Sequence, residues 1–264
     1  MAKWLRQRFA KPLFPGSNPG GASIFTPIIT HLLFTAILKS RQQYTYDVIE
    51  LGFETSTPFN FQAGQFVTFK IADNKPPCFR AYSISSVPEK DGNTFETCLK
   101  VIPGGRGTNW LNSLQIGDKI DFLGPSGKFI FQTAKEKSVL FIATGTGVAP
   151  FRAIIKNQLE KGNNQKMTLL FGVRHEKDIF YKEVFEELAK KYQNFNFILT
   201  LSQPENPGWS GFSSRVTTHL EKMTIDADKT EAYICGLKDM IGSVEEILKA
   251  KGLGEEAIHF EKYD

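Results

Sequence analysis

The chain has 264 residues, of which 41% are hydrophobic and 23% charged, which is typical of a soluble globular protein and long enough for two domains. Its formal charge of +4 arises in residues 1–46, which hold six basic and no acidic residues, so that 26 basic residues face 28 acidic ones in the rest. This near-neutral remainder gives no reason to expect nucleic acid or a membrane surface as a partner, and we expect neither.

The cysteines do not form any of the common cysteine-based metal motifs. Cys78, Cys98 and Cys235 lie 20 and 137 positions apart, so no pair has the spacing of a zinc or iron–sulfur site. We therefore expect no bound metal. Scattered thiols in odd number are typical of a reducing compartment, which predicts a cytoplasmic protein.

Residues 1–36 are an atypical N-terminal extension. The segment "KPLFPGSNPGGAS" has no hydrophobic periodicity, and the 15-residue apolar run "IFTPIITHLLFTAIL" is shorter than the roughly 20 residues of a membrane span. Three interpretations stay open: a targeting segment for an organelle or the membrane, an ordered extension, or a gene start placed too early, since "GSNPG" resembles the translated T arm of a transfer-RNA gene. The last one predicts a protein that begins near Ile37, although no Met lies between Met1 and Met167.

Residues 37–134 are predicted to form an antiparallel β-barrel. Short segments that alternate or run apolar, such as "YDVIELGFET" and "QFVTFKIAD", are separated by the turn signals "DGN", "IGD" and "GPSG". One helix interrupts them at 108–114, with Thr108 or Asn109 as the candidate N-cap. In this region "RAYS" at 80–83 places a cation, an aromatic ring and a hydroxyl on one strand, and "PGGRGTNWL" at 103–111 is a glycine-rich entry into the helix.

Residues 135–264 are predicted to form a doubly wound parallel α/β domain. Apolar strands such as "SVLFIAT", "KMTLLFGV" and "EAYICG" alternate with helical segments such as "FRAIIKNQLEKG" and "MIGSVEEILKAKG". The segment "LFIATGTGVAP" at 140–150 joins a strand to a helix through a glycine-rich turn, an arrangement that favours binding of a phosphate at the helix N-terminus.

Five motifs in register carry a resemblance to a known family. They are "RAYS" at 80–83, "GRGTNWL" at 105–111, "GTGVAPFR" at 145–152, "CGLKDM" at 235–240 and "FEKY" at 260–263. With these, the chain from about residue 37 to its end resembles the plant-type ferredoxin–NADP⁺ reductase family. The resemblance implies that the barrel binds FAD and that the α/β domain binds NAD(P).

The resemblance also implies roles for single residues on the FAD side. Arg80 would pair with the FAD pyrophosphate, Tyr82 would lie against the flavin ring, and Ser83 would hydrogen-bond the flavin nitrogen that accepts the hydride. The remaining residues predicted to contact FAD are Ala81, Gly105, Gly107, Thr108 and Asn109.

On the dinucleotide side the resemblance implies a pyrophosphate turn and a nicotinamide pocket. Cys235 and Gly236 would lie beside the nicotinamide, Glu261 would be a carboxylate of the active site, and Tyr263 would stack on the flavin and yield to the nicotinamide. Ser83, Cys235, Glu261 and Tyr263 are thus the predicted catalytic residues. Here Asp264 follows Tyr263, whereas plant-type members end on that aromatic residue. The predicted pyrophosphate turn consists of Gly145, Thr146, Gly147 and Pro150.

The choice between NADPH and NADH depends on residues that follow the parallel strands, and these residues point in different directions. NADPH-using relatives commonly have Ser-Arg after the third parallel strand, where this chain has Ser202 and Gln203. Arg174 and Arg215 lie at positions where some NADPH-using relatives have arginines, and arginine binds phosphate bidentately. We therefore favour NADPH, with NADH as the alternative.

Taken together, the predicted function is an FAD-dependent oxidoreductase that transfers hydride between NAD(P)H and FAD and single electrons between FAD and a ferredoxin or flavodoxin. Cofactors carry such chemistry, so no triad or metal cluster is needed. Two alternatives are the reductase component of an oxygenase system and an NAD(P)H–flavin reductase. A third, of another class, is a non-catalytic electron-transfer subunit of a larger complex.

Overall fold

The computed structural model describes residues 33–72, 75–76 and 78–263. The interpretations of residues 1–32 and of Asp264 therefore concern parts of the chain outside the described residues. The first strand begins at Leu33, so the predicted boundary after residue 36 falls inside it. Residues Leu33 to Ile37 pair with a later strand of the same sheet, from Leu123 back to Lys119. The predicted domain boundaries themselves stay predictions.

The first half of the described chain forms an antiparallel six-stranded sheet in the order β4-β3-β6-β1-β2-β5. Its strands are β1 (Leu33–Gln43), β2 (Val48–Thr55), β3 (Phe66–Ile71), β4 (Cys78–Ser83), β5 (Thr94–Lys100) and β6 (Lys119–Ser126). The two edge strands meet through the bridge between Ile84 and Thr97, which closes the sheet into a barrel. Alternate residues point inward and fill the barrel with phenylalanine rings, including Phe53, Phe69 and Phe95.

Helix α1 (Arg106–Ser113) interrupts the barrel strands, as predicted, but it begins two residues earlier than expected. Its N-cap is Gly105 rather than Thr108 or Asn109, so the cap prediction was wrong. Both side chains instead bond to backbone groups that precede the helix. Thr108 Oγ1 accepts from the backbone N–H of Ile102 at 3.2 Å, and Asn109 Nδ2 donates to the Gly105 carbonyl at 2.6 Å. They therefore stabilise the glycine-rich entry into the helix.

The second half forms a six-stranded, parallel sheet in the order β10-β9-β8-β7-β11-β12. Its strands are β7 (Ser138–Thr144), β8 (Met167–Val173), β9 (Phe195–Leu201), β10 (Phe212–Ser213), β11 (Thr230–Leu237) and β12 (Ile258–Tyr263). Its helices are α2 (Ala149–Glu160), α3 (Lys182–Lys191), α4 (Val216–Lys222) and α5 (Lys238–Ala250).

Helices cover both faces of the parallel sheet. Apolar residues of α2 and α3, such as Phe151 and Phe185, pack with one face, whereas those of α4 and α5, such as Leu220 and Val244, pack with the other. Both faces of the central strands are consequently buried, which explains their nearly continuous apolar sequences. The predicted fold class, a β-barrel followed by a doubly wound α/β domain, is confirmed. No helix within the described ranges is long and apolar enough to cross a membrane.

Candidate functional site

A cleft of about 1500 Å³ runs between the barrel and the carboxyl ends of the parallel strands. Such strand ends are where open α/β sheets bind ligands. Most of the residues predicted from the sequence line this one cleft. They are Arg80, Ala81, Tyr82, Ser83, Gly105, Gly107, Thr108, Gly145, Thr146, Gly147, Arg174, Ser202, Arg215, Gly236, Glu261 and Tyr263. Their roles toward a cofactor stay predictions.

Strand β4 and helix α1 form the barrel side of the cleft. Arg80 and Tyr82 lie in β4 with the buried Gly107 of α1 packed against them. A Cβ atom on Gly107 would lie 2.9 Å from both Arg80 Cγ and the Tyr82 hydroxyl, so only glycine allows this contact. The result is a groove with a guanidinium, an aromatic ring and a helix N-terminus, which fits a pyrophosphate joined to a flat ring system such as that of FAD. Burial raises the pKa of Tyr82 to about 12, so this ring stays neutral.

The predicted catalytic residues converge at the junction of the two domains. The Tyr263 hydroxyl donates to Ser83 Oγ at 2.7 Å, and Ser83 Oγ donates to Glu261 Oε2 at 3.1 Å. The partners are up to 180 positions apart in sequence. They meet because β12 adds to the edge of the parallel sheet, which places Glu261 opposite Cys235 of β11. The Cys235 thiol also contacts the Tyr263 hydroxyl.

This junction is poorly solvated, and the pKa values follow from that. Burial raises the pKa of the Glu261 carboxyl, although the hydrogen bond from Ser83 acts in the opposite direction. Burial, together with the Glu261 charge, raises the pKa of Cys235 well above its usual value. Cys235 is therefore a neutral thiol rather than a thiolate nucleophile. The arrangement can orient a ring system and hold or release one proton at Glu261.

The glycine-rich turn after β7 is pressed against β11. Residues Gly145–Val148 form a 3₁₀ turn that leads into α2. A Cβ atom on Gly147 would lie 2.3 Å from the Cys235 carbonyl oxygen and 2.9 Å from Gly236 Cα, so the turn can approach the strand only with glycine here. Gly145, Thr146 and Gly147 of the turn line the cleft together with Gly236, just before the N-terminus of α2, which fits a dinucleotide pyrophosphate.

Three polar residues follow the ends of three neighbouring parallel strands. Arg174 comes directly after β8, Ser202 directly after β9, and Arg215 two residues after β10. The backbone N–H of Gln203 donates to the Arg174 carbonyl at 2.9 Å, which holds the first two segments together. Both arginines are exposed, and within the described ranges neither guanidinium has a hydrogen-bond or ion-pair partner. This corner of the cleft can therefore receive an anion.

Three predicted residues do not line the cleft. The Asn109 amide is held by the Gly105 and Ile102 carbonyls, and Pro150 is buried in the first turn of α2. Cys235 is fully buried behind Gly236. The cleft is also lined by residues that the sequence motifs did not single out: Phe66, Arg106, Thr144, Gly172, Leu237 and Met240. Arg106 lies within the quoted "GRGTNWL" motif, so a search of that motif for cations would have found it.

Comparisons with known proteins agree with this geometry. A family model described as "Oxidoreductase FAD-binding domain" matches residues 35–131, and one described as "Oxidoreductase NAD-binding domain" matches residues 141–246. Among curated proteins, a ferredoxin–NADP reductase B of Sorangium cellulosum is 33% identical over 241 residues, which cover 88% of this chain and 98% of that protein.

A second relative is longer than this chain. The reductase component of a phenol 2-monooxygenase from a Pseudomonas strain is 30% identical over 217 residues, which cover 81% of this chain but only 60% of that protein. Among solved structures, a ferredoxin–NADP⁺ reductase from Neisseria gonorrhoeae with bound FAD and NADP has a TM-score of 0.77 at 21% identity, covering 87% of this chain and 98% of that one. A cytochrome P450 reductase of Amycolatopsis has a TM-score of 0.80 at 24% identity, covering 88% and 71%. These two likenesses show the fold.

Proposed function

Because the chain belongs to the ferredoxin–NADP⁺ reductase family, an FAD- and NAD(P)-dependent group of oxidoreductases, we propose that it passes electrons between NADPH and a separate ferredoxin or flavodoxin. FAD supplies the chemistry that links two-electron exchange with the nicotinamide to one-electron exchange with the protein partner. The protein's own contribution is to bind, orient and enclose the cofactors.

The observation that carries this proposal is the single cleft that joins both half-sites. Its barrel side, with Arg80, Tyr82 and Gly107, fits FAD, and its α/β side, with the 145–148 turn, fits the dinucleotide. Ser83 belongs to the barrel and Tyr263 to the last parallel strand, yet their hydroxyls are 2.7 Å apart. A nicotinamide and a flavin bound in their own half-sites would therefore meet at these side chains.

In the proposed mechanism the side chains act mainly by position. At the point where the two rings meet, the Ser83 hydroxyl would donate a hydrogen bond, and the Glu261 carboxyl, whose pKa is raised, would take up or release a proton. Tyr263 would occupy the nicotinamide position until the dinucleotide displaces it. The buried neutral Cys235 would lie behind Gly236 at that position and would not attack a substrate.

We further propose that NADPH is preferred over NADH. The support is the corner made by Arg174, Ser202 and Arg215, because two exposed guanidinium groups and a hydroxyl suit the additional phosphate of NADPH.

The test of this preference is steady-state reduction of an artificial acceptor with each donor. Arg174→Ala combined with Arg215→Ala should raise KM for NADPH at least tenfold and change KM for NADH less than twofold. Arg41→Ala is the matched control, because it removes a guanidinium that binds Asn112 on the barrel, outside the cleft. A double variant with unchanged KM for NADPH would contradict the preference.

The acceptor is the next part of the proposal. Support for a ferredoxin-type acceptor comes from the Sorangium relative named a ferredoxin–NADP reductase, which this chain matches over 98% of that protein's length, whereas it matches about 60% of the oxygenase reductase component. Purified protein should reduce a separately added ferredoxin or flavodoxin with NADPH as donor. Turnover of free FMN with no turnover of either protein would favour a flavin reductase instead.

A role as the reductase component of an oxygenase is the second candidate, favoured by the number of relatives that are named as such components. This second function would be distinguished by electron delivery to an oxygenase and to no separate ferredoxin or flavodoxin.

We propose a cytoplasmic location, which is supported by the free state of Cys78, Cys98 and Cys235.

A further inference from the structure

A buried carboxylate joins the barrel to the nucleotide-binding domain at some distance in sequence from every motif of the cleft. Glu50 lies in β2 and is only 6% exposed. Its Oε2 accepts from Ser85 Oγ at 2.9 Å, from Arg152 Nη1 at 3.2 Å and from the Tyr181 hydroxyl. Its Oε1 accepts from the Tyr44 hydroxyl at 3.2 Å. Four donors from both domains therefore satisfy one buried charge, as burial of a carboxylate requires.

Within this cluster Arg152 contacts three residues of the barrel. It lies on α2, and its Nη1 donates not only to Glu50 but also to Glu96 Oε2 at 2.7 Å and to the Ser85 carbonyl at 3.1 Å. Its guanidinium also lies 5.0 Å from the centre of the Tyr181 ring. The side chain is 17% exposed, so this ion pair is screened little by solvent. Removing one partner would leave the other charge buried and unpaired, which is strongly unfavourable.

The partners of Arg152 connect directly to both half-sites. Ser85 follows Ser83 by two residues along the same segment of the barrel, and Ser83 is the barrel's contact with Tyr263. Arg152 itself lies in the first turn of α2, directly after the glycine-rich turn that fits the dinucleotide pyrophosphate. One guanidinium thus ties the backbone that presents the flavin half-site to the helix that presents the dinucleotide half-site.

We propose that Arg152 is a positioning residue, which sets the separation of the two half-sites and thereby the approach of the nicotinamide to the flavin. The proposal rests on the proposed function. It predicts that loss of Arg152 slows electron transfer from the dinucleotide to FAD without weakening either cofactor's binding, because each half-site is built from residues of its own domain.

The test compares Arg152→Gln with Lys156→Gln in the full-length, FAD-loaded protein. Lys156 lies one turn farther along α2 and, among the described residues, pairs only with the exposed Glu160 at 3.9 Å, so it is a control of equal charge change. We expect R152Q to slow single-turnover flavin reduction by NADPH at least tenfold, with the affinity for NADP⁺ within twofold and FAD content unchanged. K156Q should match the wild type in all three.

A structural readout accompanies the kinetics. Hydrogen exchange of the amides in residues 83–86 and 149–155 should be faster in R152Q than in the wild type and K156Q. Faster exchange with wild-type flavin reduction would overturn the positioning role. A loss of NADP⁺ affinity in proportion to the rate would also overturn it and assign Arg152 to binding. Wild-type exchange in R152Q would show that Arg152 does not tie the domains together.

Arg152→Lys keeps the inference falsifiable if R152Q does not fold. A lysine retains the charge, but its side chain is shorter than that of arginine, so its ammonium would lie farther from Glu50, Glu96 and the Ser85 carbonyl than Arg152 Nη1 does. Slower flavin reduction at unchanged NADP⁺ affinity supports the proposal, whereas a wild-type rate in R152K overturns it. If the wild-type protein were reduced by neither dinucleotide, the proposed function would fail, and the exchange comparison would still test the tie between the domains.

Discussion

Ser83 is the residue through which the barrel contacts the last strand of the nucleotide-binding domain inside the cleft. Its hydroxyl accepts one hydrogen bond from Tyr263 and donates one to Glu261, so both of its neighbours depend on it for their position. It is itself only 5% exposed. Removing this hydroxyl would take a hydrogen-bond partner from a half-buried tyrosine hydroxyl and from a half-buried carboxylate.

The first prediction concerns the Ser83 hydroxyl. Ser83→Ala should leave FAD bound and slow single-turnover flavin reduction about 100-fold, which corresponds to about 2.7 kcal/mol of lost transition-state stabilisation. Anaerobic stopped-flow absorbance measures the rate. Ser138→Ala is the control, because Ser138 lies at the opposite end of the parallel sheet, where its hydroxyl bonds the Lys229 carbonyl and Thr230. An unchanged rate in S83A would contradict the assigned role.

The second prediction concerns the pH dependence of Glu261. Because burial raises its pKa in the folded protein, the folded state binds a proton over a range of pH in which the unfolded chain does not. The stabilising contribution of protonated Glu261 is therefore present at low pH and is lost as the pH rises through the raised pKa. Relative to the wild type, Glu261→Gln should gain stability as the pH rises from the usual pKa of a glutamate through the raised pKa of Glu261.

Thermal unfolding of both proteins across this pH range provides the measurement. Glu256→Gln serves as the comparison, since Glu256 is an exposed carboxylate in the segment before β12. A difference between wild type and E261Q that grows in favour of the wild type as the pH rises would show that the sign is wrong.

At the scale of elements, the glycine-rich turn before α2 illustrates how backbone packing builds the dinucleotide half-site. The third prediction is that Gly147→Ala forces the turn away from Cys235, whose carbonyl oxygen would lie 2.3 Å from the new methyl group. We expect a loss of about 1–3 kcal/mol of stability and at least tenfold weaker NADP⁺ binding, measured by denaturant unfolding and by titration.

Gly242→Ala is the matched control for this substitution. Gly242 lies within α5, where a Cβ atom added to it would have no atom of the described neighbouring residues within 4 Å. Alanine should therefore stabilise the protein by about 0.5–1 kcal/mol. Wild-type stability and NADP⁺ affinity in G147A would refute the packing argument for the turn.

The sequence predicts most elements of this fold because their patterns are local. The turn at 145–148 and the strand "RAYS" were visible as short motifs. The start of β1 at Leu33 was not predicted, because residues 24–38 form one continuous apolar run. The strand begins where pairing with β6 begins, and that pairing depends on residues distant in sequence. The cap at Gly105 was also missed, because the side chains of Thr108 and Asn109 bond backward onto the loop.

At the scale of the molecule, local sequence patterns do not predict the contacts between the two domains. The ion pair between Glu50 and Arg152 joins residues 102 positions apart on different domains, and neither residue lies in a pattern that predicts the other. The family resemblance, in contrast, assigned Ser83, Glu261 and Tyr263 to one active site although Ser83 lies 178 and 180 positions from the other two. Short motifs thus predicted the cleft, but not the contacts that hold its two sides in register.

The proposed electron transfer requires that this protein bind FAD and that a nicotinamide dinucleotide reduce the bound FAD. Both requirements can be measured together by anaerobic stopped-flow absorbance of the full-length protein, mixed with NADPH and separately with NADH. We predict a yellow protein whose flavin absorbance is bleached by both donors or by one, with NADPH acting at lower concentration. A colourless protein that does not take up FAD, or a yellow one that neither donor bleaches, would contradict it.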